Sequence, residues 1–338
     1  MSQTPSRGPA AARLIALDWG TTNLRASLLG EGGCLLETRA APGGVLAVPE
    51  RRFEEALMAL AGDWIDAHRC PVIASGMIGS RQGWREAPYV ECPAGLADVA
   101  ARLVPVPLAA GTTLHIVPGL SCIGADGQDD VMRGEETQLW GAALAPGSCC
   151  VLPGTHSKWA WMAGDRAGGR AAGPAALGPG QVGAFQTFMT GELYAVLVQH
   201  SILGRLMQPG HDRPEAFVEG VQLGLAEHAN ATHVLFAVRT AGLAGRVAPE
   251  GLPDFLSGLL IGIEIGSATR AALPASVALL GDATLCARYE VALDVARIGH
   301  RRVPAEATTR GQWLVAAAGG LVAPGVGASA GDGAGAGR

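Results

Sequence analysis

The stretch Asp18-Trp-Gly-Thr-Thr-Asn-Leu-Arg25 decides the fold that we expect for this chain. It follows residues 14–17, a short apolar run that meets turn residues abruptly, as buried strands do. Residues 24–29 read as a second strand. The sequence therefore predicts a hairpin whose turn carries glycine and hydroxyl residues. Its backbone N–H groups would point into one concavity that suits an anion.

The side chains of this predicted turn suit a phosphate and its metal ion. Asp18 closes the first strand and can hold a hydrated Mg²⁺, because that ion keeps most of its waters and takes one or two carboxylates. Gly20 lets the backbone approach a ligand, and Thr21, Thr22 and Asn23 offer short donors. For this motif taken alone, an ordinary polar hairpin is the alternative.

Two further elements follow at suitable distances. The turn Gly154-Thr155-His156-Ser157 separates apolar residues 149–152 from apolar residues 159–162, which repeats the first pattern. Residues 277–280 form a third predicted strand that breaks at Gly281 and enters a helix, whose start offers free N–H groups and a positive dipole end. Three such elements in this order are harder to reach by chance than any one of them.

Together these elements resemble the superfamily of sugar kinases, heat-shock proteins and actin. Five blocks between about residue 14 and about residue 321 are similar to the 2-dehydro-3-deoxygalactonokinase family, and those around Arg81, Arg133 and His156 are specific to it. The blocks are Ala74-Ser-Gly-Met-Ile-Gly-Ser-Arg-Gln-Gly-Trp84, Asp130-Val-Met-Arg-Gly-Glu-Glu-Thr-Gln138, Leu152-Pro-Gly-Thr-His-Ser-Lys-Trp159, Phe188-Met-Thr-Gly-Glu-Leu193 and Leu256-Ser-Gly-Leu-Leu-Ile-Gly262.

The resemblance implies an α/β, two-domain actin-like ATPase (ribonuclease H-like) fold with a central nucleotide/substrate cleft. It also implies an enzyme that uses ATP and Mg²⁺ to phosphorylate the terminal 6-hydroxyl of 2-keto-3-deoxy-D-galactonate in galactonate catabolism. A kinase for another 2-keto-3-deoxy sugar acid or a ketose is the alternative. An actin- or heat-shock-like ATPase without kinase activity is the rival from another class. A regulator on a sugar-kinase fold would need a helix-turn-helix segment that residues 1–13 are too few to hold.

Length and composition bound the organisation. A chain of 338 residues exceeds one usual core and suggests two domains. The predicted parts are a disordered lead over residues 1–12, domains over 13–146 and 147–322, and a disordered Gly/Ala tail over 323–338. A net charge of −5 without a long basic run argues against nucleic acid as a partner.

Cysteine usage and hydropathy indicate a cytoplasmic protein. The seven cysteines are scattered without a C-x-x-C pair, which favours free thiols over disulfides or a metal site. Residues 1–13 lack the apolar core of a secretory signal. The longest apolar stretch, residues 255–265, is too short for a bilayer and contains Glu264. The oligomeric state is left open, a homodimer included.

Hydrophobic spacing predicts the main helices and strands. The predicted helices cover residues 51–68, 135–145, 184–200, 214–228 and 254–269, and further strands cover 71–74, 114–117 and 277–280. Residues 316–318 read as a short strand or a strand–helix joint, and residues 165–180 read as a loose loop.

Phosphoryl transfer depends on positioning and on electrostatic stabilisation. Thr21, Thr22, Gly154 and Thr155 form the predicted phosphate clamp, and Gly281 begins a turn that can pack on adenine. Lys158 would add positive charge near the phosphates or the substrate, with a solvated strand end as the alternative.

The acceptor hydroxyl needs a carboxylate base. Asp130, Glu135 and Glu136 are the candidates, because related superfamily members place a catalytic carboxylate at the start of the matching helix. Acidic residues also favour a first helical turn for the sake of the helix dipole, which is the alternative explanation. Asp130 and Glu135 are preferred without a ranking between them, and Glu192 is held in reserve.

The carboxylate of a sugar acid calls for an arginine fork. Arg81 lies in the predicted loop Gly79-Ser-Arg-Gln-Gly83, where Ser80 and Gln82 could bond hydroxyls, and Arg133 is the second candidate. A surface cation is the alternative for Arg81.

Two further side chains have a structural alternative beside the functional one. Trp84 could wall the sugar acid, or it could anchor the core or a lid. His156 could orient the substrate or the phosphate, or it could simply cap its loop. The other histidines have no metal-binding spacing.

Overall fold

The computed structural model describes residues 11–124, 126–164, 180–304 and 306–323. The predicted lead, the loose loop over 165–180 and the predicted tail lie almost wholly outside these residues. The strands are β1 (Leu14–Trp19), β2 (Asn23–Leu29), β3 (Leu35–Pro42), β4 (Val72–Ser75), β5 (Tyr89–Glu91), β6 (Val104–Pro107), β7 (Thr113–Ile116), β8 (Gly119–Ile123), β9 (Asp129–Met132), β10 (Cys149–Leu152), β11 (Ser157–Met162), β12 (Val182–Phe188), β13 (Ser276–Leu279) and β14 (Gly299–Arg302). The α-helices are α1 (Phe53–His68), α2 (Leu96–Ala100), α3 (Glu135–Gly141), α4 (Thr190–His200), α5 (Pro214–Glu227), α6 (Ala231–Val234), α7 (Ala237–Leu243), α8 (Leu252–Ala268), α9 (Ala283–Val295) and α10 (Ala307–Ala318).

The first large sheet has the strand order β3-β2-β1-β4-β7-β6. β1 pairs antiparallel with β2 and parallel with β4, and β4 pairs parallel with β7. β1 lies in the middle of this sheet and is buried along nearly all its length, which is why it reads as a continuous apolar run. The carboxyl ends of β1 and β4 therefore meet at one edge of the sheet.

The second large sheet, β12-β11-β10-β13-β14, repeats this arrangement. β10 pairs antiparallel with β11 and parallel with β13, as β1 does with β2 and β4. A third, small sheet has the order β5-β8-β9. The predicted internal repeat thus extends from two hairpins to two whole sheets, and the α/β, actin-like (ribonuclease H-like) fold class is confirmed.

The chain forms two compact units. Among the described residues, unit 1 holds those up to Ser121, Val131–Leu144 and those from Glu306 onward, and unit 2 holds those within Cys122–Asp130 and within Ala145–Ala305. The division after Leu144 lies close to the predicted boundary at residue 146. α10 differs from the prediction, because it groups with unit 1 although the predicted C-terminal domain included it.

The prediction of a short strand or a strand–helix joint at residues 316–318 is wrong, because these residues are the end of α10. The helix packs on α3 so closely that a Cβ on Gly141 or Gly311 would overlap the backbone of the other helix. Hydrophobic spacing did not show this helix because its partner is more than 160 residues earlier in the chain.

The predicted helix over residues 184–200 is wrong in its first part. β12 runs to Phe188, and only α4, from Thr190, is helical. β12 pairs with β11 from Ser157 opposite Phe188 to Met162 opposite Val182. Pairing with a neighbouring strand overrides local helix propensity here, as tertiary context often does.

Each unit has its own apolar core. In unit 1 the core includes Leu17, Leu57 and Ile65, between the sheet and α1. In unit 2 it includes Trp159 and Ile265, the latter on α8, which packs along α5.

All seven cysteines are free, as predicted. Among the described residues, no helix is long and apolar enough to cross a membrane.

Candidate active site

The first predicted hairpin is present in unit 1, with its turn between β1 and β2. The N–H of Gly20 donates to the carbonyl of Asn23 at 3.0 Å, which closes the turn. Thr21 and Thr22 are exposed in it. A cavity of about 530 Å³ lies against the hairpin, lined by Asp18, Gly20, Thr22, Asn23, Leu24, Arg25 and residues 40–42. The predicted Mg²⁺ ligand Asp18 therefore shares one concavity with Gly20, Thr22 and Asn23 of the predicted phosphate turn.

Burial and two nearby charges act on the pKa of Asp18 in opposite directions. Burial raises the pKa of its carboxyl above the usual value, and the negative charge of Glu135 raises it further. Arg25 acts in the opposite direction and lowers the pKa. A bound cation would favour the charged form of the Asp18 carboxyl and offset the nearby charge of Glu135.

Backbone turns from two other elements converge on Asp18. Gly76 follows β4 with a φ of 93°, and a Cβ there would lie 2.8 Å from the carbonyl oxygen of Trp19 and 3.7 Å from Oδ1 of Asp18. Gly134 precedes α3 with a φ of 109°, and its Cβ would lie 3.1 Å from the Cα of Gly76. Only glycine fits both positions without strain, so the residue before α3 packs on the turn after β4, and that turn packs on the end of β1.

Gln312 on α10 holds this arrangement together and was not predicted. Its Nε2 donates to the carbonyl of Leu17 at 2.7 Å and to Oγ of Ser75 at 2.9 Å. The side chain is buried and so links the ends of β1 and β4. No local pattern marks Gln312, because its partners are more than 230 residues away in the chain.

The two glutamates at the start of α3 have different surroundings. Glu136 is fully buried, and its Oε2 accepts the N–H of Gly134 at 2.6 Å. Burial, with the nearby charge of Glu135, raises the pKa of Glu136 to about 8. Glu135 is partly exposed, and its Oε2 accepts the N–H of Arg133 at 3.1 Å. Of the pair, Glu135 is the one that solvent and a small molecule can reach.

Asp130 lies in unit 2 and has a structural role there. Its Oδ2 accepts the N–H of Thr187 and its Oδ1 accepts the hydroxyl of Thr187, both at 2.6 Å. The carboxylate thus joins β9 to β12. Thr187 engages both oxygens, so this contact fixes the orientation of the Asp130 carboxylate.

The loop around Arg81 is anchored to the rest of unit 1. Arg81 itself is 85% exposed and pairs with Glu86 at 3.2 Å, which matches the alternative of a surface cation. The carbonyls of Gln82 and Gly83 accept hydrogen bonds from Arg51 at 3.0 and 2.5 Å.

Trp84, at the end of this loop, is a core anchor in unit 1. It stacks on Phe53 with ring centroids 6.2 Å apart and packs against the apolar core.

Arg133 is the buried cation of this region. Its Nη2 donates to the carbonyl of Ala87 at 2.8 Å, and its guanidinium lies 4.4 Å from the ring centre of Tyr89. Gly79 makes room for it, since a Cβ there would lie 2.9 Å from Nη1. Within the described residues, Nε and Nη1 of Arg133 have no hydrogen-bond partner, and neither do Oγ of Ser80 and Oε1 of Glu136.

The second hairpin lies in unit 2 between β10 and β11. The Nε2 of His156 lies 2.5 Å from Oε2 of Glu192, and the N–H of Glu192 donates to the carbonyl of Thr155 at 3.0 Å. Lys158 is buried, and its Nζ donates to the carbonyl of His156 at 3.1 Å. The alternative of a solvated strand end is therefore wrong for Lys158, whose charge lies under the turn.

A second cavity, of about 240 Å³, adjoins this hairpin. It is lined by Gly154, Thr190, Gly191, Tyr194, Ser257, Leu260, Ile261, Leu285, Arg288 and Tyr289. Gly281 lies next to the second turn, since a Cβ there would lie 3.3 Å from the carbonyl oxygen of Pro153, the residue before Gly154. The cavity thus lies beside both the second turn and α9.

The prediction of free N–H groups at the start of α9 is wrong, because a side chain caps them. Oδ1 of Asp282 accepts the N–H groups of Thr284 and Leu285 at 2.9 and 3.0 Å. Asp282 is an N-cap and takes the donors that a phosphate would otherwise use. The turn after β13 therefore suits an uncharged group better than an anion.

Comparison with known proteins gives a consistent result. A model of the 2-keto-3-deoxy-galactonokinase family matches residues 18–315. The chain is 38% identical over 283 residues to 2-dehydro-3-deoxygalactonokinase of Escherichia coli strain K12, which covers 83% of this chain and 89% of that protein. A relative from Rhizobium meliloti strain 1021 is 37% identical over 308 residues, covering 89% and 95% of the two chains. A crystal structure from Sinorhizobium meliloti, of a protein provisionally assigned the same activity, aligns with a TM-score of 0.75 at 34% identity and covers 90% of this chain and 96% of that one.

Proposed function

The chain belongs to the 2-keto-3-deoxy-galactonokinase family, and we propose that it transfers the γ-phosphoryl group of ATP to the 6-hydroxyl of 2-keto-3-deoxy-galactonate. It is a phosphotransferase, as its family is. The observation that carries the proposal is the family match over residues 18–315, which includes the turns of both hairpins. It favours a kinase over an actin- or heat-shock-like ATPase, and a sugar acid over a ketose.

The residues around Asp18 fit a Mg²⁺ ion. The ion uses few protein carboxylates and completes its shell with water and phosphate oxygens. Asp18 would hold it, because its carboxylate lines the cavity of about 530 Å³ and lies near the charge of Glu135. When bound, the ion would neutralise charge on the β- and γ-phosphates.

Short donors in the hairpin turns are the proposed phosphate ligands. In unit 1 these are Thr21, Thr22 and Asn23, whose turn borders the cavity beside Asp18, and Gly20, whose N–H closes that turn, lets the backbone approach the phosphate. In unit 2 they are Gly154 and Thr155, with the buried charge of Lys158 beneath their turn. Their contribution is electrostatic, because donors fixed in advance need no reorganisation as charge develops.

Glu135 is the proposed base. Its carboxylate is partly exposed, lies at the start of α3 and is near Asp18, whereas Glu136 is fully buried and Asp130 is held by Thr187. A base must come within hydrogen-bonding reach of the acceptor hydroxyl. Glu135 would orient that hydroxyl and accept its proton as the bond to phosphorus forms.

Arg133 is the proposed carboxylate ligand in place of Arg81. A buried guanidinium with two nitrogens unpaired in the described part of the chain is costly unless an anion or water completes its bonds. The carboxylate of a sugar acid would do so, with the hydroxyl of Ser80 as a further donor. Arg81 already has Glu86 as a partner.

The cavity of about 240 Å³ in unit 2 is the proposed adenine site. It is smaller than the roughly 300–1,000 Å³ of a whole-ligand pocket, so it suits one part of ATP. Its walls are mostly apolar, with Tyr194 and Tyr289 among them. The capped start of α9 agrees with an uncharged ring at this place.

A panel of acceptors tests the proposal. The purified protein is given ATP, Mg²⁺ and one of 2-keto-3-deoxy-galactonate, its C4 epimer 2-keto-3-deoxy-gluconate, gluconate or a ketose, and ADP release is followed. We expect the highest kcat/KM with the first acid, and phosphorus NMR should show the phosphate on C6. Equal rates for all acceptors, or ADP release without any acceptor, would contradict it.

A further inference from the structure

Glu264 is a buried carboxylate on α8 with a full set of donors. It is 1% exposed. Its Oε1 accepts hydrogen bonds from Oγ of Ser157 and Nε1 of Trp159, both at 2.8 Å. Its Oε2 accepts from the hydroxyl of Tyr289 at 2.7 Å and from the hydroxyl of Thr190.

The donors come from three different elements of unit 2. Ser157 is the first residue of β11, directly after the second turn. Thr190 is the first residue of α4, and Tyr289 lies in α9. Glu264 therefore fastens a strand and two helices to α8 at one point.

The start of α4 is in turn attached to the second turn. The N–H of Glu192 donates to the carbonyl of Thr155, and Glu192 also contacts His156. A Cβ on Gly191 would lie 2.5 Å from the carbonyl oxygen of Gly154. Any displacement of Thr190 would therefore be passed on to residues 154–156.

Packing alone does not call for a charge at this position. Burial raises the pKa of Glu264, and the four donors lower it, so the hydrogen bonds compensate for a cost that an apolar side chain would not incur. Within the described residues Glu264 makes no ion pair with Lys, Arg or His. What the carboxylate adds is direction, since each oxygen accepts from two donors and fixes where they lie.

We propose that Glu264 is a positioning residue that sets the conformation of the second phosphate-binding turn through Ser157 and Thr190, and that it shapes the adenine site through Thr190 and Tyr289. Thr190 and Tyr289 donate to Glu264 and also line the cavity of about 240 Å³. The inference rests on the proposed function, because it assigns these two places to ATP. Glu264 acts on ATP binding and on transfer without touching the substrate.

The variant Glu264→Gln tests the role with little change of volume. Its amide nitrogen cannot accept, so it faces two donors where the carboxylate oxygen accepted both. We expect the Kd for ATP, measured by equilibrium titration, to rise about tenfold or more, as loss of a charged acceptor implies. The KM for the sugar acid should stay within about twofold of its value, since unit 1 holds the proposed acid ligands.

Ile265→Val is the matched control. Ile265 is the next residue on α8, is fully buried, and loses one methylene without any change in hydrogen bonding. It should lower Tm and leave the Kd for ATP unchanged when both are measured well below Tm. An equal rise of Kd in Ile265→Val would mean that general loosening of unit 2 is responsible, and would overturn the proposal.

Two further variants keep the test decisive if Glu264→Gln does not fold. Thr190→Val and Ser157→Ala each remove one donor and leave the carboxylate in place. Weaker ATP binding in both supports the proposal, and wild-type affinity in both overturns it. If Glu264→Gln folds and binds ATP as the wild type does, this inference alone fails. If the wild-type protein itself does not bind ATP, the proposed function fails and this inference with it.

Discussion

Asp18 and Arg25 face each other across the first hairpin as register partners of β1 and β2. Arg25 lines the same cavity as Asp18 and lowers its pKa, while burial and Glu135 raise it. The charge of this corner of unit 1 therefore depends on one arginine and two carboxylates. A metal ion bound by Asp18 would act in the same direction as Arg25.

Asp18→Ala should reduce kcat by about 10²-fold or more, the scale on which loss of one electrostatic contact to a transition state acts. The fold should survive, because within the described residues no hydrogen bond that holds β1 in its sheet involves the side chain of Asp18. Steady-state kinetics over a Mg²⁺ titration and a circular dichroism spectrum check both points. Near-wild-type turnover at limiting Mg²⁺ would contradict the metal role.

Arg133→Lys should raise the KM for the sugar acid by about tenfold or more and leave the KM for ATP nearly unchanged, since charge-assisted pairs contribute roughly 1.5–3 kcal/mol. Arg81→Ala, which removes an exposed side chain, is the matched control and should change neither value much. The carboxamide analogue of the substrate should be insensitive to Arg133→Lys. A larger effect of Arg81→Ala than of Arg133→Lys would restore the original assignment to Arg81.

Glu135→Gln should lower kcat by about 10²-fold or more while ATP binding stays normal, because a general base contributes about 10²–10⁴-fold. Glu136→Gln and Asp130→Asn are the comparison, and both should retain most of kcat. Nucleotide affinity and kcat are measured separately for all three. If Glu135→Gln keeps substantial kcat, the base lies elsewhere, and Glu192, paired with His156, is the next carboxylate to change.

Patterns confined to one stretch of chain predicted their part of the fold well. The apolar run at residues 14–17 and the turn after it predicted the first hairpin, and the same reasoning placed the second one. Arg25 was missed, although counting outward from the turn places it opposite Asp18. Where a partner lay far away, prediction failed: β12 was read as helix because β11 was not yet known to pair with it.

The buried polar contacts were beyond reach of the sequence for the same reason. Gln312 and Glu264 each bond to residues more than 20 positions away. Glu264 stands out in the sequence as a carboxylate inside the apolar stretch 255–265, but the sequence does not show which donors surround it. The choice among Asp130, Glu135 and Glu136 also depends on burial and on Thr187, which spacing does not reveal.

Glu136 should make stability depend on pH. Its pKa is about 8 in the folded chain, against an ordinary value of 4.5, so between these values the folded state binds a proton that the unfolded state has released. The free energy of unfolding must then fall as the pH rises through this window, by up to about 1.4 kcal/mol per pH unit from this one group. Glu136→Gln keeps a carbonyl oxygen for the N–H of Gly134 and removes the titration. Urea unfolding of the wild type and of this variant at pH 5, 6, 7 and 8 gives the gap between their free energies of unfolding. This gap should therefore shift in favour of the variant as the pH rises. Glu135→Gln removes the neighbouring charge that helps to raise the pKa of Glu136, so it should weaken this pH dependence without abolishing it. A gap that stays constant from pH 5 to pH 8 would mean that Glu136 is ionised in the folded protein.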